Sequence, residues 1–184
     1  MRSIKGFFQA IYYSFLFKLV DSFEFTAPNY NHETQLSVFT SYERERSEKF
    51  LSLDVGMLDS DWKKVSQKLI PGRKYGIKIF DITRPARFKD CLEFLIWKRA
   101  ILVGAQGLSL ILQFKENKLP IYKWILSLDI EEALLKDENN ISVIPFSCCY
   151  DYNNESKIFA YLRSNAVFKN GYCLLCVHDL SAKA

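Results

Sequence analysis

Histidine is almost absent from this sequence: His32 and His178 are the only 2 in a chain of 184 residues. Imidazole is the side chain best suited to proton transfer near neutral pH. Here one stands in an Asn-rich loop and the other closes the last apolar run, so the raw material for acid–base catalysis is thin. Long apolar runs are missing too. The densest, between Lys5 and Lys18, is about twelve residues, whereas a spanning helix needs roughly 18 to 20. Cysteine is sparse and odd in number, 5 residues without the regular spacing of a secreted scaffold. The five are expected to be reduced thiols in a cytoplasmic protein.

Charge of one sign is also lacking. A formal charge of +4 and a pI near 8.7 are poor evidence for a polyanionic partner. The distribution is uneven, however. Residues 60–99 hold 11 Lys and Arg against 4 acids, a local balance of +7, while residues 129–155 hold 1 against 7, or −6. Either segment can be the solvated face of one domain.

Nucleotide-binding and hydrolase signatures are missing as well. Gly104-Ala105-Gln106-Gly107 stands between an apolar run and a helical stripe, where a phosphate loop would sit. It has neither the six-residue dinucleotide fingerprint nor the Lys-Ser/Thr ending of a P-loop, and a tight strand-to-helix connection requires small residues in any case. Gly107-Leu108-Ser109-Leu110-Ile111 lacks the second glycine of a nucleophile elbow. Cys173 and Cys176 before His178, with Cys148-Cys149 upstream, have the residue types of a zinc site. On a strand, though, an odd spacing points Cys173 and Cys176 to opposite faces, as adjacency does Cys148 and Cys149. Buried, inert thiols are the expectation, and no metal or cofactor is indicated.

What is present is a core-forming composition: 49% hydrophobic, 25% charged and 15% aromatic. At this length a folded chain buries roughly 70% of its unfolded surface. The organising stretch runs from Lys74 to Pro120. Tyr75, Ile77 and Ile79 alternate with Lys74 and Lys78, which predicts a half-buried strand over Lys74–Thr83. Pro85 suits a first helical turn, and Phe88, Leu92, Leu95 and Ile96 recur at helical spacing up to Trp97. Ala100–Val103 has the length of a buried strand. Leu108, Ile111, Leu112 and Lys115 form a second helical stripe that must stop before Pro120.

The flanks are read the same way. Residues 4–23 are crowded with Phe, Tyr, Ile and Leu at nearly every angle of a helical wheel, so no clean stripe emerges. The leading reading is a helix that is buried or covered by a partner, followed by an interfacial membrane anchor. A targeting signal comes third: Arg2 and Lys5 precede the run, but Asp21-Ser22-Phe23-Glu24 supplies no small-x-small site. Residues 24–35 read as a loop and as the boundary between an N-terminal appendage over 1–23 and one domain over 36–180. Leu36–Thr40 and Leu51–Met57 are expected to be strands, 42–50 a charged exposed helix or loop, and Asp61–Leu69 a short helix.

Beyond Pro120, strands are expected over Tyr122–Leu128, Ile141–Tyr150, Lys157–Leu162 and Tyr172–Val177. Asp129 caps a helical segment to about Lys136, and polar turns fall at 137–140 and 151–156. Pro145 places its strand at an edge or kinks it. The expected fold is α/β or α+β: a single mixed sheet with helices packed on it and antiparallel C-terminal strands.

Three functions are compatible with this pattern. The first is a non-enzymatic protein–protein interaction module of a cytoplasmic protein, engaging a partner or a second copy through its hydrophobic N-terminus, with peripheral membrane contact as a variant. The second is nucleic-acid or phosphate-ligand binding by Lys64, Lys68, Arg73, Lys74, Arg84 and Arg87, which are interleaved with aromatics. The third is an enzyme using carboxylates at element ends, such as Asp81, Asp90 and Asp129.

Overall fold

Alternation along one strand sets the architecture. The computed structural model of the chain describes residues 4–39, 66–114, 123–137, 139–149 and 157–181. In β2 (Lys74–Ile82), Tyr75, Ile77 and Ile79 enter one core, while Phe80 and Ile82 enter a second core on the opposite face. Period-2 side chains that are apolar on both sides need cover on both sides. Helix α4 (Gly104–Phe114) and a helical segment over 35–39 (α2) cover the first face. Helices α1 (Ile4–Leu16) and α3 (Phe88–Trp97) cover the second.

The sheet is mixed and has seven strands. The remaining members are β1 (Phe17–Thr26), β4 (Trp124–Leu126), β5 (Leu135–Lys136), β6 (Ser142–Cys149), β7 (Lys157–Arg163) and β9 (Tyr172–Asp179). Two further segments, β3 (Ala86–Arg87) and β8 (Val167–Phe168), pair separately. The last strand, β9, lies in the middle, antiparallel to β2 and parallel to β4. Phe146 of β6 has Leu126 on one side and Ala160 on the other, and Val143 has Leu135 and Arg163. Strands β4 and β5 therefore share one flank of β6 as two halves of a broken strand, with β7 on the other flank. The C-terminal strands form antiparallel pairs, β7 with β6 and β9 with β2.

That break explains how a proline survives inside the sheet. Pro145 is neither kinked out nor on an edge strand, since β6 is paired on both sides. Its carbonyl accepts the N–H of Ser127 (3.0 Å), so its missing donor faces the interval between β4 and β5, where no ladder bond is required.

Several other expectations are corrected. Leu36–Thr40 is helical over 35–39 rather than extended. Ala100–Val103 is irregular and contributes one bridge, Ile101 to Val177. Pro85 precedes β3, not the first turn of α3. Asp90 instead accepts the N–H of Arg87 (2.9 Å) at that helix start. The segment after Asp129 is a single 3-10 turn, Glu131–Ala133, before β5. The expectations for 42–50, 51–57 and 151–156, and for the side chains of Cys148 and Cys149, lie outside the described residues. So does most of Asp61–Leu69, whose described end, 66–69, is irregular.

Helix α4 is buried on every side, with each residue from Leu102 to Leu112 out of solvent. Its polar members are internally satisfied: Gln106 accepts the Leu36 N–H (2.8 Å), and Ser109 donates to the Gln106 carbonyl (2.8 Å). Gly107 is there for space. A Cβ at that position would lie 2.4 Å from the Val103 Cβ. Gly107→Ala is expected to lose about 2 kcal/mol, because overpacking outweighs the roughly 1 kcal/mol of helix propensity regained. Urea unfolding would measure it. Adding Val103→Ala should restore little, because alanine keeps the clashing Cβ, and a neutral Gly107→Ala would refute the argument.

Candidate interaction surface

The helix-to-strand change at Leu16–Phe17 splits the hydrophobic N-terminal run into two elements. Carbonyls in the last turn of a helix need outside donors, and β2's exit supplies them. The Thr83 hydroxyl donates to the carbonyls of Phe15 (2.7 Å) and Leu16 (3.1 Å), and its N–H donates to Leu16 (2.9 Å). Phe17 then pairs with Ile82, and β1 runs antiparallel to β2 as far as Thr26 with a bulge at Val20.

Helix α1 thereby gains one inner and one outer face. Tyr13, 2% exposed, and Leu16 face inward. The Tyr13 ring lies 5.4 Å from Phe94 and 5.3 Å from Trp97, and Phe94 stacks on Phe17 at 4.2 Å. The outer face is equally apolar but uncovered: Phe7 is 63% exposed, Phe8 65% and Phe15 56%, with Tyr12 and Ile11 between them. Leu19 and Val20 continue the exposed apolar surface onto β1. A surface helix ordinarily turns charge outward, and α1 does the reverse. The absence of a single stripe in the sequence was the signal: the helix has two apolar faces, of which the described residues cover one.

Of the six basic residues singled out from sequence, four lie at the two ends of β2. Arg73 pairs with Asp179 (2.9 Å) and Lys74 with Glu24 at the start of β2. Arg84 and Arg87 lie past its other end, a strand length of roughly 26 Å away. There the Arg84 guanidinium lies 5.5 Å from the Phe15 ring, beside the apolar face. Lys68 is exposed, and Lys64 lies outside the described residues.

The remaining chemical candidates are built into the core. The Gly104–Gly107 turn is buried, and its first carbonyl accepts the Ser127 hydroxyl (2.9 Å). Cys173 and Cys176 enter opposite cores. Cys176 Sγ lies 3.2 Å from His178 Nε2, a contact the sequence reading missed. Burial nevertheless raises the Cys176 thiol to about 11 and that of Cys173 to about 12, and pushes Cys91 up as well, so all three are protonated at neutral pH. Among the described residues no group of three or more His, Cys, Asp and Glu is placed to hold a metal. Asp81 pairs with Lys123 (2.9 Å), and Asp90 caps α3. Asp129 is buried, accepting the N–H groups of Ser66 (3.0 Å) and Ile130 (2.8 Å), and burial raises its carboxyl to about 6. Among the described residues no helix is long and apolar enough to cross a membrane.

The chain matches no protein-family model, and no curated protein or solved structure is similar to it.

Proposed function

We propose that this chain is a non-enzymatic docking module of the cytoplasm that engages a protein partner through the outer face of α1 and the adjoining end of β1. The observation that carries this reading is the run of outward Phe7, Phe8 and Phe15, each more than half exposed on a helix whose other face is already packed. Exposed aromatic clusters of this size are costly in water, and rigid rings are the side chains that carry most interface energy. The reduced, buried Cys91, Cys173 and Cys176 support the cytoplasmic setting.

Photo-crosslinking tests the reading in cells. Benzoylphenylalanine replaces Phe8 in one protein and Ile70, exposed before the far end of β2, in another. Position 8 is expected to give discrete protein adducts and position 70 few. Lipid adducts alone from position 8, or no excess over position 70, would overturn the proposal.

A further inference from the structure

Strand β1 pairs with β2 on one flank, and among the described residues no strand pairs with its other flank over residues 17–22. An open edge is a template for another strand. The charges along it make it self-complementary. The bulge at Val20 gives Lys18 and Asp21 the same sheet face, opposite Asp81 and Ile79, whereas a regular strand would put residues three apart on opposite faces.

From this we infer that the occupant of the apolar surface is a second copy of this chain, joined edge to edge through β1. The inference rests on the docking reading above and names the partner. In an antiparallel pairing about a two-fold axis between Leu19 and Val20, residues whose numbers sum to 39 stand opposite each other. Lys18 then meets the partner's Asp21, and Asp21 meets the partner's Lys18. Leu19 meets the partner's Val20, covering both exposed aliphatic side chains. The pairing is isologous, so it closes at two chains and joins two sheets into one.

The same axis keeps the outer faces of both α1 helices on one side of the joined sheet, flanking the seam. Phe94 of α3 packs on Phe80 of β2 and on Phe17 of β1, and Tyr13 of α1 packs against both Phe94 and Phe17. The exposed rings and aliphatics offer on the order of 600 Å², close to the roughly 800 Å² that one side of a standard interface buries. The ladder bonds of β1 add to that area.

Charge reversal tests the register. Sedimentation velocity of the full chain is expected to show a species of twice the 21.5 kDa chain mass. Lys18→Asp and Asp21→Lys should each weaken dimerisation by about tenfold or more, since each creates two like-charge contacts. The double variant, with both charges swapped, should recover it. Asp21→Lys guards against misfolding of Lys18→Asp, whose new carboxylate would face Asp81 on β2, and thermal melts confirm that each variant folds. A wild-type chain that is monomeric at all concentrations would overturn the inference, as would a dimer indifferent to both reversals. So would a monomer that cosediments with phosphatidylserine vesicles. Protein adducts from position 8 in a monomeric chain would leave the docking reading standing while removing this one.

Discussion

Phe94→Ala is expected to cost the fold about 4 kcal/mol, the largest effect of any single substitution considered. Phe94 is buried, and its ring meets Phe17 at 4.2 Å, Phe80 at 5.0 Å and Tyr13 at 5.4 Å. It thus joins α3 to β2, β1 and α1. Removing it leaves a cavity that these three rings cannot all close, and for a chain of this size the melting temperature should fall by roughly 8 to 16 °C. The loss should also be uneven. Tyr13 and Leu16 are the only described inward anchors of α1 classed as buried, so amides of residues 4–16 should exchange much faster than those of β2. Ile96, two positions along the same helix and 57% exposed, is the control. Ile96→Ala should change stability by less than about 0.5 kcal/mol. Equal costs at 94 and 96, measured by urea titration, would show that this account of α3 is wrong.

The contrast between those two positions also shows how far the sequence could be read. Spacing alone chose Phe88, Leu92, Leu95 and Ile96 for α3; Leu95 is buried, Phe88 and Leu92 pack half-buried at the margin of the core, and Ile96 is exposed. The buried line is Cys91, Phe94 and Leu95. Both sets satisfy helical periodicity, and only the position of β2's Phe80 and Ile82 decides between them. Strand β2 was legible because Lys74 and Lys78 mark its exposed side within the sequence. Strand β9 was legible as a strand, but its central place was not, since its pairing with residues some hundred positions earlier leaves no local mark. Residues 35–39 and 100–103 were misread for a related reason: four or five apolar residues carry too little periodicity to separate helix, strand and coil.

The docking surface was half legible. An apolar helix without a polar side was visible in residues 4–16, yet its end at Leu16 depends on Thr83, far away in the chain. The open edge of β1 and the bulge that aligns Lys18 with Asp21 belong to sheet pairing alone. The run of basic residues shows the opposite limit. Closeness in sequence does not survive an extended strand, which carries Arg73 and Arg84 to opposite ends of β2.

Asp129 should give the chain a measurable pH dependence of its own. Folding raises this carboxyl to about 6, chiefly through burial, against an unfolded value near 3.9. Between those values the folded chain binds the proton and the unfolded chain does not, so this group's stabilising contribution is complete below about pH 4 and is lost as pH rises through about 6. The difference is on the order of 3 kcal/mol. Asp137 and Asp179 work in the other direction. The N–H of Ile141 holds the first below the usual carboxylate range and that of Ser181 holds the second, and their stabilisation is lost as pH falls. A single stability curve therefore mixes the two, and Asp129→Asn separates them. The amide keeps an oxygen for the Ile130 N–H without a charge to bury. Its stability relative to wild type should be greatest near pH 7.5 and should shrink by about 2 kcal/mol by pH 4.5, while the contributions of Asp137 and Asp179 cancel. Parallel curves for the two proteins over that range would mean that the carboxylate is not desolvated. The tolerance of an ionised group here has a structural reason. Asp129 ties Ser66 and Ile130 at the corner where the chain leaves β4, and that corner breaks the strand so that β5 can resume along β6. The same interval accommodates Pro145, so one buried carboxylate accompanies the interruption that keeps a proline-containing strand inside the sheet.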